Sequence, residues 1–268
     1  MTGKIFLFEI KYRLKRPATW AYFGVLFLFG FLTAIYGSTP ASEKELVNSP
    51  ASITQMLIII SIFGMLLSSA VLGMPVYRDI EHSTAQYLYS YPITEKQYLM
   101  GRYLGSLVIL LLISLGMQFG LMLGFTLGPF LGLEEAERFG PLNLWHYIQP
   151  TLLFSWPNFI FAGTIFFALV ALSRKVVATY TGSVILFIGY LISLTFVADL
   201  ENRDIVSLFD PFALQTYATE TQYWTPAEQN TQLFPMSGVL IANRLIYLGL
   251  ALGLFLFTLY KFKFSDVL

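Results

Sequence analysis

The sequence predicts an all-α integral membrane protein: an N-terminal amphipathic helix followed by six transmembrane helices, with both termini in the cytoplasm. Three observations predict it. The composition is 56% hydrophobic and 12% charged with mean hydropathy +0.66, far from that of a soluble globular domain. Six apolar runs each approach the roughly 20 residues needed to cross the hydrocarbon. The basic residues are also distributed unevenly among the connections, as membrane topology demands.

The first unit, residues 1–16, reads as an amphipathic lead-in helix. Phe6, Leu7, Ile10 and Leu14 share a face, and Lys4, Lys11 and Lys15 form a basic stripe. Ile5, Phe8 and Tyr12 blur this division, which suits a helix lying deep in the interface. Pro17 ends it. No small-residue cleavage site follows the first apolar stretch, so no signal peptide is expected.

Residues 17–268 read as one six-span domain, with spans near 18–37, 52–74, 103–128, 150–172, 178–198 and 238–260. An inside N-terminus places Lys4, Lys11, Arg13, Lys15, Arg16, Arg78, Lys96, Arg102, Arg174, Lys175, Lys261 and Lys263 on the cytoplasmic side. Only Lys44, Arg138 and Arg203 fall in outside loops, alongside eleven acids. This twelve-to-three bias sets both termini inside.

Within the spans, Gly116, Gly120, Gly124 and Gly128 line one face of the third helix. A small residue every fourth position lets another backbone approach, either from the same chain or across a dimer or moving interface. Pro157 lies inside the fourth span and removes one backbone donor there, making a packing kink or a gating hinge. The outer loop 199–237 is acidic and aromatic. Runs such as D-P-F-A-L-Q-T-Y read as short helices lying on, or dipping into, the outer membrane face.

The longest polar interruption on the basic side is 77–102. Read as a helix, Ile80, Thr84, Tyr87, Leu88 and Tyr91 share one face, while Arg78, Asp79, Glu81, His82 and Gln86 occupy the rest. Pro92 stops that helix. Thr94 and Gln97 form a T-x-x-Q capping box opening the next, with Glu95 in its first turn.

Three stretches carry a family resemblance. Pro92-Ile93-Thr94, Tyr98-Leu99 and Gly101-Arg102 resemble the start of the third span in ABC-2-type transporter permeases. Asp210-Pro211-Phe212 followed by Tyr223-Trp224-Thr225, and Asn243-Arg244-Leu245, are similar to a narrower branch whose membrane half heads an M1-family metallopeptidase. The resemblance implies that residues 1–16 are the "elbow" of such permeases. It also implies that 77–102 is the cytoplasmic contact for a separate ATPase, with Ile80, Glu81, Tyr87, Leu88, Tyr91, Pro92 and Thr94 as coupling residues. ATP and Mg would bind that ATPase; this chain would pair with a second copy or another permease half. Export across a bacterial cytoplasmic (inner) membrane is the implied activity. Longer relatives continue beyond the last span, so a peptidase after Leu268 stays open.

Enzyme chemistry finds no support. No cysteine is present, nor any H-E-x-x-H or G-x-x-x-x-G-K-[S/T]. His82 and His146 fall on opposite sides of the membrane. Ser68, Ser69 and Ser114 have no base near them in sequence. No catalytic residue, metal ligand or nucleic-acid-binding patch is expected. One charge is misplaced: Arg244, about two turns into the last span, either snorkels outward or meets an outer-loop acid such as Asp210 or an anionic substrate group. The expected function is therefore the membrane half of an ABC transporter. The rival is a non-transporting anchor or regulatory module for a peptidase or other partner.

Overall fold

The computed structural model describes residues 1–37, 44–81, 92–132, 135–197 and 203–264, which are helical with no strand among them. In order they are α1 (Thr2–Leu14), α2 (Pro17–Tyr36), α3 (Pro50–Leu72), α4 (Met74–Glu81), α5 (Glu95–Leu131), α6 (Trp145–Pro150), α7 (Trp156–Ser173), α8 (Val176–Val197), α9 (Arg203–Phe209), α10 (Leu214–Thr221), α11 (Pro226–Thr231) and α12 (Gly238–Lys261). Six stretches are long and apolar enough to cross a membrane: α2, α3 with α4, α5, α6 with α7, α8 and α12.

Elementary signals set the ends of these helices. Pro17 and Pro50 occupy first-turn positions, where a missing N–H costs nothing. Ser49 caps α3 by accepting from the Ser52 amide, and Ser237 caps α12 by accepting from that of Leu240. At Thr94 the capping box closes in both directions: the hydroxyl accepts from Gln97 N at 3.2 Å, and Gln97 Oε1 accepts from Thr94 N at 3.3 Å. That box starts α5 eight residues before the expected span. At 37 residues, α5 is roughly 55 Å long, against a hydrocarbon core of about 30 Å.

α3 is the most buried span, packed among α5, α7 and α8, whereas α2, α8 and α12 keep wide apolar faces outward. The glycine stripe of α5 receives α2. A Cβ at Gly116 would lie 2.5 Å from the Phe23 carbonyl oxygen, and one at Gly120 would collide with that of Phe27. Gly124 faces Ala34, and Gly30 of α2 returns the approach against Met117. Gly128 departs from this row and receives the ring of Phe139 instead. The same face continues backward through Gly101 and Gly105, which the sequence reading did not count in the row; there it seats Ile5 and Glu9 of α1.

Residues 203–237 fold into α9, α10 and α11 and pack against the bundle. Phe212 and Ala213 are fully buried beside Ile58, Ile62 and Phe166. Ala213 takes a left-handed conformation (φ 56°) to turn the chain between α9 and α10. Asn230 fastens α11 to the start of α3's loop, accepting from Leu46 N and donating to Lys44 O.

Candidate functional site

Two polar centres lie at opposite ends of the bundle. The first surrounds Glu9, whose carboxylate is fully buried. Its Oε1 accepts from Arg13 Nε at 2.6 Å; Oε2 accepts from Arg78 Nη2 at 2.9 Å and also from Arg102 Nη1. Arg102 then spans to Asp79, Nη2 to Oδ2 at 2.6 Å, and Tyr98 donates its hydroxyl to the same oxygen at 2.7 Å. Aromatic faces complete the shell: Arg78 lies over Tyr12 at 4.2 Å and Arg102 over Phe8 at 5.6 Å. α1, α4 and the first turns of α5 thus share one ionic cluster.

Burial alone pushes the Glu9 carboxyl upward, but the guanidiniums of Arg13, Arg102 and Arg78 outweigh it and hold it down at about 2. Burial lowers the Arg13 guanidinium, against the support of Glu9. Ions this buried are tolerated only when paired and hydrogen-bonded, so removing one strands the others.

This geometry corrects the sequence reading of both segments. In α1 the inward face carries Glu9 and Arg13, whereas Leu7 and Phe8 point outward. In α4, Arg78 and Asp79, read as lying off the apolar face, are buried; Ile80 is half-buried against the core and Glu81 is exposed. The charged side of α4 faces in because α1 and α5 offer it counter-charges. Pro92 and Thr94 are exposed at the start of α5. Tyr87, Leu88 and Tyr91, with His82, lie outside the described residues.

Residues 262–264, after α12, join the same region. Phe262 and Phe264 pack on Tyr98 with ring centroids 6.1 and 5.7 Å away, and Phe264 N donates to Glu95 Oε1 at 2.8 Å. Arg174 donates to Lys263 O at 2.8 Å.

The second centre surrounds Arg244, which is 7% exposed. It does not snorkel. Nη1 donates to Asn158 Oδ1 at 2.8 Å, while Nε and Nη2 donate to Asn243 Oδ1 at 3.0 and 2.6 Å. No direct ion pair joins it to Asp210, whose carboxylate accepts from Phe212 N and Gln215 N at 2.9 and 2.7 Å. The link runs through Asn243, whose Nδ2 donates to Ser207 O at 2.7 Å and Asp210 O at 2.8 Å. Asn158 Nδ2 donates to Ser61 Oγ at 2.8 Å and to Phe212 O at 3.2 Å. Ser61 lies eleven residues into α3, about 16 Å along it, so the 210–213 turn reaches deep into the bundle.

Pro157 helps place Asn158. The proline ring conflicts with the carbonyl four residues back, and the helix widens to a π turn at Thr151–Ser155 before resuming as α7. Asn158, one position on, then faces α3 and α12. The sequence reading missed Asn158, Asn243 and Ser61 as partners. The available signal was a run of buried amides and a serine in otherwise apolar spans.

Neither centre combines a nucleophile with a base. Among the described residues no group of three His, Cys, Asp or Glu side chains could hold a metal ion. What both can do is fasten helices with directional, buried polar contacts. Compared with known proteins, residues 4–267 match the family model described as "ABC-2 family transporter protein". No curated protein matches the chain.

Proposed function

Because the chain belongs to the ABC-2 family of transporter proteins, we propose that it is the membrane half of an ABC exporter driven by a separate ATPase. Membership makes it a multi-pass membrane component of a transporter, not itself the catalyst. The finer reading pairs it with a second copy or another permease half in a bacterial inner membrane, with ATP and Mg held by the ATPase. Within that reading, 77–102 is the ATPase contact and α1 the elbow.

The observation that carries the coupling reading is the Glu9 cluster. Pulling α1, α4 or α5 apart would leave buried guanidiniums or carboxylates unpaired, at about 3–5 kcal/mol for each broken partner. A push received next to α4 therefore moves the three helices together. α5 extends that movement over roughly 55 Å, and α2 follows it through the glycine contacts. At the far end the Arg244 centre ties α7 and α12 to the 207–213 turn. This turn is a suitable element to open or close around a substrate, with Pro157 setting the position of Asn158.

The test is reconstitution with ATPase co-purification and substrate-stimulated ATP hydrolysis as readouts. Tyr87→Ala combined with Leu88→Ala should release the ATPase or uncouple hydrolysis from transport while the spans stay folded. Retention of both readouts at wild-type levels would reduce 77–102 to a connector. Failure of any P-loop ATPase to accompany the native protein would instead favour the anchor reading. A peptidase fused beyond this segment belongs to the proposal too, and an immunoblot of the native protein at far above 30.3 kDa would support it.

A further inference from the structure

A cavity of about 120 Å³ opens where α1 meets α2, beside α4. Three arginines line it: Arg13 from α1, Arg16 from the α1–α2 joint and Arg78 from α4. Tyr12 lies against two of them, with the Arg16 and Arg78 guanidiniums 4.5 and 4.2 Å from its ring centre. The cavity continues to Ala70 near the end of α3 and to Ile113 within α5.

The charges around it do not balance. Among the described residues, Arg13, Arg78 and Arg102 share two carboxylates, Glu9 and Asp79, and Arg16 stands beside them at the cavity without an ion pair. Four cations against two anions leave a surplus of two. Arg13 is 8% exposed, yet its Nη2 has no hydrogen-bond partner. Arg13 lines the recess, and a buried guanidinium nitrogen with no acceptor is a costly arrangement that an anion drawn in beside it would relieve. The apolar end of the same recess would repel a fully hydrated ion.

We infer that this cavity seats the phosphate of an anionic membrane phospholipid, with Arg13 and Arg16 as its ligands and Ala70 and Ile113 beside its first carbons. The position fits a headgroup: Trp20, one turn into α2, is exposed with its indole N–H bonded to Leu14 O at 2.9 Å, as at a membrane interface. Arginine forks match phosphate oxygens, and each basic residue near an anionic leaflet contributes about 1 kcal/mol, roughly fivefold in affinity. The bound lipid neutralises the surplus and pins the joint between α1 and α2. None of this depends on what the protein transports or on which ATPase drives it.

The test uses detergent-purified protein titrated with phosphatidylglycerol, phosphatidylcholine or inorganic phosphate, followed by native mass spectrometry and thermal unfolding. Phosphatidylglycerol should be retained and should raise the melting temperature; the other two should not. Arg16→Gln touches an exposed residue that makes no ion pair and should fold normally, but should weaken retention about fivefold. Ala70→Leu should fill the recess and abolish retention, whereas Lys175→Gln, an exposed charge elsewhere, should leave it intact. Equal effects of phosphatidylglycerol and phosphatidylcholine would overturn the proposal. So would unchanged retention in both Arg16→Gln and Ala70→Leu. A full thermal shift from inorganic phosphate alone would make this a soluble-anion site and overturn the lipid assignment.

Discussion

Replacing Glu9 by glutamine removes the carboxylate that Arg13, Arg78 and Arg102 share. The cost can be worked from the depressed acidity. A carboxyl moved from 4.5 to about 2 contributes on the order of 3 kcal/mol of stability when ionised. Stranding buried partners points to a similar figure, about 3–5 kcal/mol. At roughly 2 °C per kcal/mol for a chain of this length, Glu9→Gln should lower the melting temperature by about 6–10 °C. The assay is fluorescence-monitored unfolding in mild detergent, with limited proteolysis of α1 as a local readout. The pH dependence has a definite sign. Because the folded acidity lies below the unfolded one, the contribution is fully present above about pH 4.5 and is lost as pH falls toward 2. Wild-type protein should therefore lose stability more steeply across that window than Glu9→Gln. A melting temperature within about 2 °C of wild type, with parallel pH profiles, would refute the claim that this cluster holds α1 to α4 and α5.

Three other perturbations probe the rest. Asn243→Ala should cost about 2–4 kcal/mol, because it strands Arg244 and the carbonyls of Ser207 and Asp210; a cysteine at Phe209 should then react faster with a membrane-impermeant thiol reagent. Arg244→Lys should fare little better than Arg244→Gln, since an ammonium cannot bridge Asn158 and Asn243 as the guanidinium fork does, and equal expression of wild type and Lys would count against that. Gly120→Ala should destabilise by about 1–3 kcal/mol through its clash with Phe27, whereas Gly253→Ala, with open space around it, should be neutral in the same unfolding assay. For topology, cysteines at Ser42 and Glu228 should label from outside intact cells and one at Ser265 should not; labelling at Ser265 would invert the orientation.

Periodicity and length made the six spans legible, since each depends on a local run of apolar residues. The T-x-x-Q box was legible for the same reason: cap and acceptor are three residues apart. The glycine row was visible as a row, but not which helix fills it, because that is a contact between residues about 90 positions apart, such as Gly116 with Phe23. The two polar centres were read only in part. Arg244 stood out by depth, and Asn243 only as its neighbour in the Asn243-Arg244-Leu245 stretch, while neither Asn243 nor Asn158 was read as its partner. Glu9 was lost for a different reason. In a helix scored by its apolar face, one carboxylate among basic residues reads as surface, and only the three-dimensional meeting with Arg78 and Arg102 turns that face inward. The same blindness left Arg78 and Asp79 off the buried face of α4.

The Glu9 cluster also sets a timetable for biosynthesis. Glu9 and Arg102 are 93 residues apart, so at about 5–20 residues per second the ribosome delivers the second roughly 5–20 s after the first. Until Arg78 follows, 69 residues after Glu9, α1 has only its own Arg13, four residues away, to answer the carboxylate. That internal pair answers part of the carboxylate's charge within α1 itself until α4 and α5 arrive. Docking of α1 therefore waits for α4 and the start of α5, and a chain interrupted before Arg102 would lack one of the two guanidiniums that reach Glu9 from outside α1.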